Sequence, residues 1–139
     1  MKGCTHIYFG DGKGKTTAAM GLAIRAAGSD KKVFIIQFLK GGPTGELKIL
    51  LQQPNITILR GKPNTPFTWN MTEEQKKEVT AYQTQQLKQA ILHAQNSQCD
   101  LLILDEIMAS YNLGLIDKDM LKEFILNKPE ALELVLTGR

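Results

Sequence analysis

The chain has little of what most often carries covalent or metal chemistry. Among 139 residues there are two cysteines, Cys4 and Cys99, and two histidines, His6 and His93. The cysteines have neither metal-ligand spacing nor the pattern of a disulfide framework, so both read as buried thiols in a reducing cytosol. His6 falls in a first strand and His93 on a long helix, which gives both structural roles. Charge of one sign is also scarce: 17 Lys+Arg against 14 Asp+Glu leave a net charge of +3. The basic pairs Lys31-Lys32 and Lys76-Lys77 read as solvated faces rather than a nucleic-acid track. No run approaches the ~20 apolar residues of a membrane span. Met1-Lys2 leads into a strand rather than a signal peptide. No repeat or low-complexity linker divides the sequence. These absences argue against a disulfide scaffold, a zinc module, a membrane protein and a nucleic-acid binder. They leave a cytoplasmic globule of one domain over residues 1–139, with 42% hydrophobic and 22% charged residues.

What is present is an alternation of strands and helices. Strands are expected at Thr5–Phe9, Val33–Phe38, Ile56–Arg60, Leu101–Leu104 and Leu134–Leu136. The second is a nearly continuous apolar run, as in a parallel sheet buried on both faces. Helices are expected from near Lys15 to Ala27 with Gly28 as the C-terminal stop, and from Glu46 to Gln53, closed by Pro54. Thr72 and Gln75 form a capping box that opens a long helix reaching about Asn96. Its apolar side is Val79, Tyr82, Leu87, Ala90, Ile91 and Ala94, and its glutamines read as a solvated face. After a loop containing Asn112 and Gly114, Asp117 caps a last helix from Lys118 to about Asn127. This order predicts a three-layer α/β/α fold around a mainly parallel sheet.

The chemistry is concentrated in Gly10-Asp11-Gly12-Lys13-Gly14-Lys15-Thr16-Thr17, between the first strand and the first helix. Glycines there let successive backbone N–H groups converge on an anion, and the helix adds its unpaired N-terminal donors. Lys15 supplies a mobile cation and Thr16 a hydroxyl suited to Mg²⁺. The usual phosphate-loop signature puts four residues between its first glycine and Gly-Lys-Thr. Here that position falls on Phe9, and Gly10 leaves only three. A dinucleotide fingerprint fits less well, because its third glycine would fall on Lys15 and the next strand ends at Gln37 rather than an acid. The favoured ligand is a nucleoside triphosphate.

A second nucleotide-binding element is expected at Leu101–Glu106, where a buried strand delivers Asp105 or Glu106 to the edge beside the phosphate loop. Either acid can reach Mg²⁺, directly or through water, with Thr16 as partner. For attack on the γ-phosphate Glu106 could orient water, and the arginines are Arg25, Arg60 and Arg139. These residues leave hydrolysis and transfer both open. Phe67 and Trp69 ride on the irregular segment 61–71, either packing against the domain or meeting a large flat ligand.

The assembled stretches GDGKGKTTAAMGLAIRAAG (10–28), QFLKGGPTGE (37–46), FTW (67–69), LLILDE (101–106) and LVLTGR (134–139) resemble the corrinoid adenosyltransferase family of the phosphate-loop superfamily. The shortened glycine spacing is that family's own form. The resemblance implies a RecA-like sheet and a reaction at carbon. The Co(I) of cobalamin, cobinamide or cobyrinic acid a,c-diamide attacks the ribose 5′-carbon of ATP, and triphosphate leaves. It implies that Phe67 and Trp69 lie against the corrinoid and help displace its lower ligand, so that a cellular flavin-based reductant can act. Lys40 and Glu46 fall in an active-site motif, and Arg139 belongs to one near the nucleotide. The family continues past that motif with a segment bordering the corrinoid, whereas the sequence stops at Arg139. A homodimer in which a partner completes the site is one expectation. A small phosphotransferase or ATPase and a non-catalytic nucleotide or corrinoid carrier are the competing readings.

Overall fold

A computed structural model describes residues 2–10, 13–39, 44–62 and 70–138. Five strands, β1 (Thr5–Phe9), β2 (Val33–Gln37), β3 (Ile56–Arg60), β4 (Leu101–Asp105) and β5 (Glu133–Gly138), form one sheet in the order β1-β5-β4-β2-β3. Every pairing is parallel. Helices α1 (Lys15–Gly28), α2 (Gly45–Leu50), α3 (Glu73–Gln95), α4 (Ile107–Asn112) and α5 (Lys118–Leu126) connect and cover it.

The period-2 geometry of strands divides the apolar residues between two faces. Val33, Ile35, Ile56, Leu101, Ile103 and Val135 meet Ala19, Met20 and Ala23 of α1 and Leu50 of α2. Phe34, Ile36, Leu102, Leu104, Leu134 and Leu136 meet Leu87, Ala90 and Ala94 of α3, Ile107 of α4, and Leu121 and Phe124 of α5. The small residues of α1 allow its backbone to lie close on the sheet. Strands buried on both faces need uninterrupted apolar sequence, which is what β2 and β4 have. β1 differs: it pairs with β5 alone among the described strands, and Ile7 and Phe9 are exposed on it.

Helix ends follow local chemistry. Thr72 and Gln75 make the expected reciprocal capping box on α3, and Asp117 accepts from the Met120 N–H on α5. The expectation that Gly28 stops α1 is corrected, since Gly28 is the last helical residue. The left-handed position is taken by Asp30 (φ 62°), with Lys31 N–H donating to Ala26 O and Asp30 N–H to Ala27 O. Aspartate tolerates that conformation better than most residues. The expected loop after Glu106 contains the short helix α4, too brief to show a period.

Two further expectations change. Cys4 is exposed, its backbone N–H donating to Glu133 Oε1, whereas Cys99 is buried. Burial, aided by the neighbouring Asp100 charge, pushes the Cys99 thiol up to about 11. The glutamines of α3 are not all solvated: Gln83 and Gln86 are buried on the same stripe as Val79, Leu87, Ala90 and Ala94, and Tyr82 is exposed. The difference between the thiols is directly measurable, because the thiolate is the reactive form. With Ellman's reagent at pH 8, Cys4 should react rapidly in the native protein, and Cys99 only after denaturant is added. Two thiols reacting at the same native rate would contradict this packing.

Candidate functional site

β1 ends at Phe9, and the chain turns through Gly10 (φ 119°) to Gly14 (φ 101°). Both values lie where a Cβ is strained, so these two glycines are conformational requirements. Gly14 is the N-cap of α1, and its carbonyl accepts from Ala18 N–H. The first turn of α1 has no acidic residue and no side-chain cap. A helix start of that kind keeps its N–H donors and the positive end of its dipole available to an anion. Lys15, the first residue of α1, reaches back so that its Nζ donates to Gly10 O at 2.7 Å.

Opposite the loop, the C-terminal ends of β4 and β5 present a second group. Asp105 is fully buried at the end of β4. Its Oδ1 accepts from Thr16 Oγ1 at 2.9 Å and from Thr137 Oγ1 at 2.6 Å. The Thr137 hydroxyl in turn accepts from the Glu106 N–H at 2.9 Å. One hydroxyl thus serves as donor and acceptor in the same chain of bonds, and it joins β5 to β4. A buried carboxyl is tolerated only with such partners. Glu106 itself is left-handed (φ 64°) and caps α4, half-exposed at the sheet edge. Gly138, next to Thr137, is constrained by packing. A Cβ there would come within 2.6 Å of Met108 Cβ, so its absence lets α4 lie against β5.

At the other margin of the same sheet edge, α3 holds the ends of β2 and β3. Gln83 Oε1 accepts from Leu39 N–H at 3.1 Å, while its Nε2 donates to Leu115 O at 2.8 Å and Ser110 Oγ at 3.3 Å. Leu39 is left-handed (φ 62°). Gln86 Nε2 donates to Arg60 O at 2.7 Å, and Arg60 Nε donates to Gln37 Oε1 at 3.0 Å.

The expected residues therefore fall into three groups. Gly10, Gly14, Lys15, Thr16, Asp105 and Glu106 converge on one edge, with Lys13 and Thr17 exposed beside them. Glu46 is exposed in the first turn of α2, which follows β2. Asp11, Gly12, Lys40, Phe67, Trp69 and Arg139 lie outside the described residues. Sequence reasoning missed Gln83, whose signal was a polar residue on an apolar helical stripe; Thr137 fell within the LVLTGR motif expected near the nucleotide, but its bonds to Asp105 and the Glu106 N–H were not foreseen. The cavity of about 490 Å³ near His6, Arg25 and Glu133 lies at the opposite, N-terminal edge of the strands. Open α/β sheets bind ligands at the carboxyl edge, so it is not part of this site.

Two substitutions test the hydroxyl chain. Thr137→Val keeps the shape but leaves Asp105 and the Glu106 N–H each short of a partner, so a loss of about 1–3 kcal/mol is expected from the urea midpoint. Glu106→Gly removes the carboxylate but suits the left-handed backbone. It should be more stable than Glu106→Ala by about 1 kcal/mol. An alanine variant as stable as the glycine one would count against a strained Glu106.

Among known proteins, the family model described as ATP:corrinoid adenosyltransferase BtuR/CobO/CobP matches residues 1–139. The chain is 30% identical over 139 residues to a corrinoid adenosyltransferase of Escherichia coli (strain K12), covering 99% of this chain and 68% of that protein. It is 29% identical to a corrinoid adenosyltransferase of Pseudomonas aeruginosa, over 99% of this chain and 67% of that one. The corrinoid adenosyltransferase CobA of Salmonella typhimurium is likewise 29% identical, over 99% and 68%. A glycine loop with its lysine, a facing buried acid and a match along the whole chain lead to one conclusion: this chain belongs to the ATP:corrinoid adenosyltransferase family.

Proposed function

We propose that the chain transfers the 5′-deoxyadenosyl group of ATP to the Co(I) of cobalamin or cobyrinic acid a,c-diamide, releasing triphosphate. The observation that carries this reading is the convergence of Lys15 and Thr16 with buried Asp105 on one strand edge, in a chain of that family. The bond that breaks joins the ribose 5′-carbon to the triphosphate oxygen, and the leaving oxygen gains charge as it departs. N–H groups at the start of α1 and the Lys15 ammonium are suited to stabilise that charge electrostatically. Charge-assisted hydrogen bonds from an ammonium to an anion are the stronger kind. The Co(I) nucleophile carries no proton, so no general base is needed for its attack.

Thr16 and Asp105 offer adjacent hard oxygen atoms, which fits Mg²⁺ shared between protein and phosphates, with Glu106 within the same edge. When bound, the ion would neutralise the triphosphate as it leaves. Asp11, Gly12, Lys13 and Thr17 complete the loop's contacts. Arg139 serves the nucleotide, and Lys40 and Glu46 belong to the active-site edge. Phe67 and Trp69 cover the macrocycle and keep water from the cobalt. A flavin-based reductant, a cytoplasmic setting and a homodimer complete the proposal. No described helix is long and apolar enough to cross a membrane.

With ATP, Mg²⁺ and chemically reduced cobalamin, the expected result is the spectrum of a cobalt–carbon bond and one triphosphate per turnover. ADP and phosphate as products would instead identify a phosphotransferase or ATPase, and tight binding without turnover a carrier. Lys15→Ala should cost about 2–4 kcal/mol of transition-state stabilisation, as for loss of one preorganised donor. Trp69→Ala should leave ATP affinity nearly intact while impairing the reaction that starts from Co(II). Equal loss of ATP affinity in both variants would refute separate sites for the two substrates.

A further inference from the structure

On the face of the sheet that α1 covers, β5 presents Val135 and then Thr137, and β4 presents Leu101, Ile103 and then Asp105. Leu104 is in register with Leu136, so Asp105 and Thr137 follow side by side at the strand ends. Both are fully buried. Valine at 137 would continue the apolar stripe with the same shape, whereas a buried hydroxyl is costly unless bonded. The Thr137 hydroxyl is bonded in both directions. It accepts from Glu106 N–H at 2.9 Å and donates to Asp105 Oδ1 at 2.6 Å. Committed to protein on both sides and closed to solvent, it is not placed to touch a ligand itself.

What it can do is set Asp105. The torsion that turns a carboxylate is broad and two-fold, so hydrogen bonds rather than a rotamer well fix the plane of this one. Two hydroxyls meet at its Oδ1, and they differ in kind. Thr16, in the first turn of α1, is the one that a cation between protein and phosphates would share. Thr137 is β-branched, lies in a strand between β1 and β4, and is tied to the Glu106 amide, so its hydroxyl is a fixed point. A carboxylate oxygen only accepts, so the Thr16 O–H points at Asp105 and its oxygen meets a cation through lone pairs. We propose that Thr137 is a positioning residue for a divalent cation. Through Asp105 it keeps the Thr16 and Asp105 oxygens in the arrangement that binds Mg²⁺ beside the triphosphate, with no contact of its own to metal or nucleotide. This rests on the reading that Mg²⁺ and triphosphate meet at that edge.

The test is ATP binding followed by calorimetry with and without Mg²⁺, with no corrinoid present so that no adenosyl transfer occurs. Groups that hold a metal ligand from behind typically account for about 10–100-fold in metal affinity. With Mg²⁺ present, Thr137→Val should therefore weaken ATP binding about tenfold or more, and with EDTA instead it should stay within about twofold of wild type. The Mg²⁺ concentration that gives half of the gain in ATP affinity should rise in parallel. Thr137→Ser keeps the hydroxyl and should bind like wild type under both conditions. Should circular dichroism show that Thr137→Val does not fold, Thr137→Cys keeps the volume with only a weak S–H donor, and a loss confined to Mg²⁺ is again expected. Equal weakening with and without Mg²⁺ would make Thr137 a direct nucleotide contact and overturn the proposal. A lowered melting temperature with unshifted Mg²⁺-dependent affinity would overturn it too, leaving a stability element, as would a serine variant as weak as the valine one. Each of these leaves the proposed reaction standing. Wild-type ATP affinity that does not respond to Mg²⁺ would overturn the cation reading and this inference together.

Discussion

A single buried carboxyl organises the loop edge of this protein. Asp105 has no access to solvent, and a carboxyl so placed must find donors within the fold or destabilise it by several kcal/mol. The donors are hydroxyls from the first turn of α1 and from the end of β5. Satisfying one side chain therefore fixes the helix behind the glycine loop against two strands remote from it in sequence. Thr137 extends the constraint to the Glu106 amide, and Gly138 makes room for the helix that Glu106 begins. Local chemistry and tertiary packing here impose the same geometry. It is the kind of agreement that holds a ligand-binding edge in one arrangement.

Sheet order adds a point that no local pattern reveals. β5, last in the chain, lies between the strand that carries the glycine loop and the strand that ends in Asp105. The loop and its acid are thus two strand positions apart, and the intervening strand end is available to contribute Thr137. At the far margin, β2 and β3 end where α3 delivers two amides to backbone atoms. The carboxyl edge consequently has a half tied by side-chain hydroxyls to one buried carboxyl and a half whose backbone is held from behind by a helix.

Much of this was legible in sequence, and the reasons are specific. β1 and β3 lie where read, because each is a short run of strand-favouring residues between turn residues. Thr72 and Gln75 announced the start of α3, and Asp117 the start of α5, since capping residues are chosen by local hydrogen bonding. The turn glycines and the strand ending in Asp105 were visible because each is set by a contiguous stretch. What stayed hidden depends on distant partners. Thr137 matters only because Asp105 and Glu106 come beside it, and Gln83 only because Leu39, Ser110 and Leu115 surround it. A glutamine on an amphipathic helix is usually solvated, so composition pointed the wrong way for 83 and 86. Cys4 looked buried because it adjoins an apolar strand, yet β1 lies at the margin of the sheet. The stop of α1 was misplaced because Asp30, not glycine, adopts the left-handed turn.

The bond from Lys15 to the Gly10 carbonyl has a consequence for how the loop meets an anion. A flexible glycine-rich turn would otherwise sample many shapes, and any ligand would have to bear the entropy of ordering it. Here the Lys15 ammonium donates to the Gly10 carbonyl, so residues 10 and 15 are held together before any ligand arrives. The bond thus ties the first residue of α1 to the residue that follows β1, five positions back along the chain.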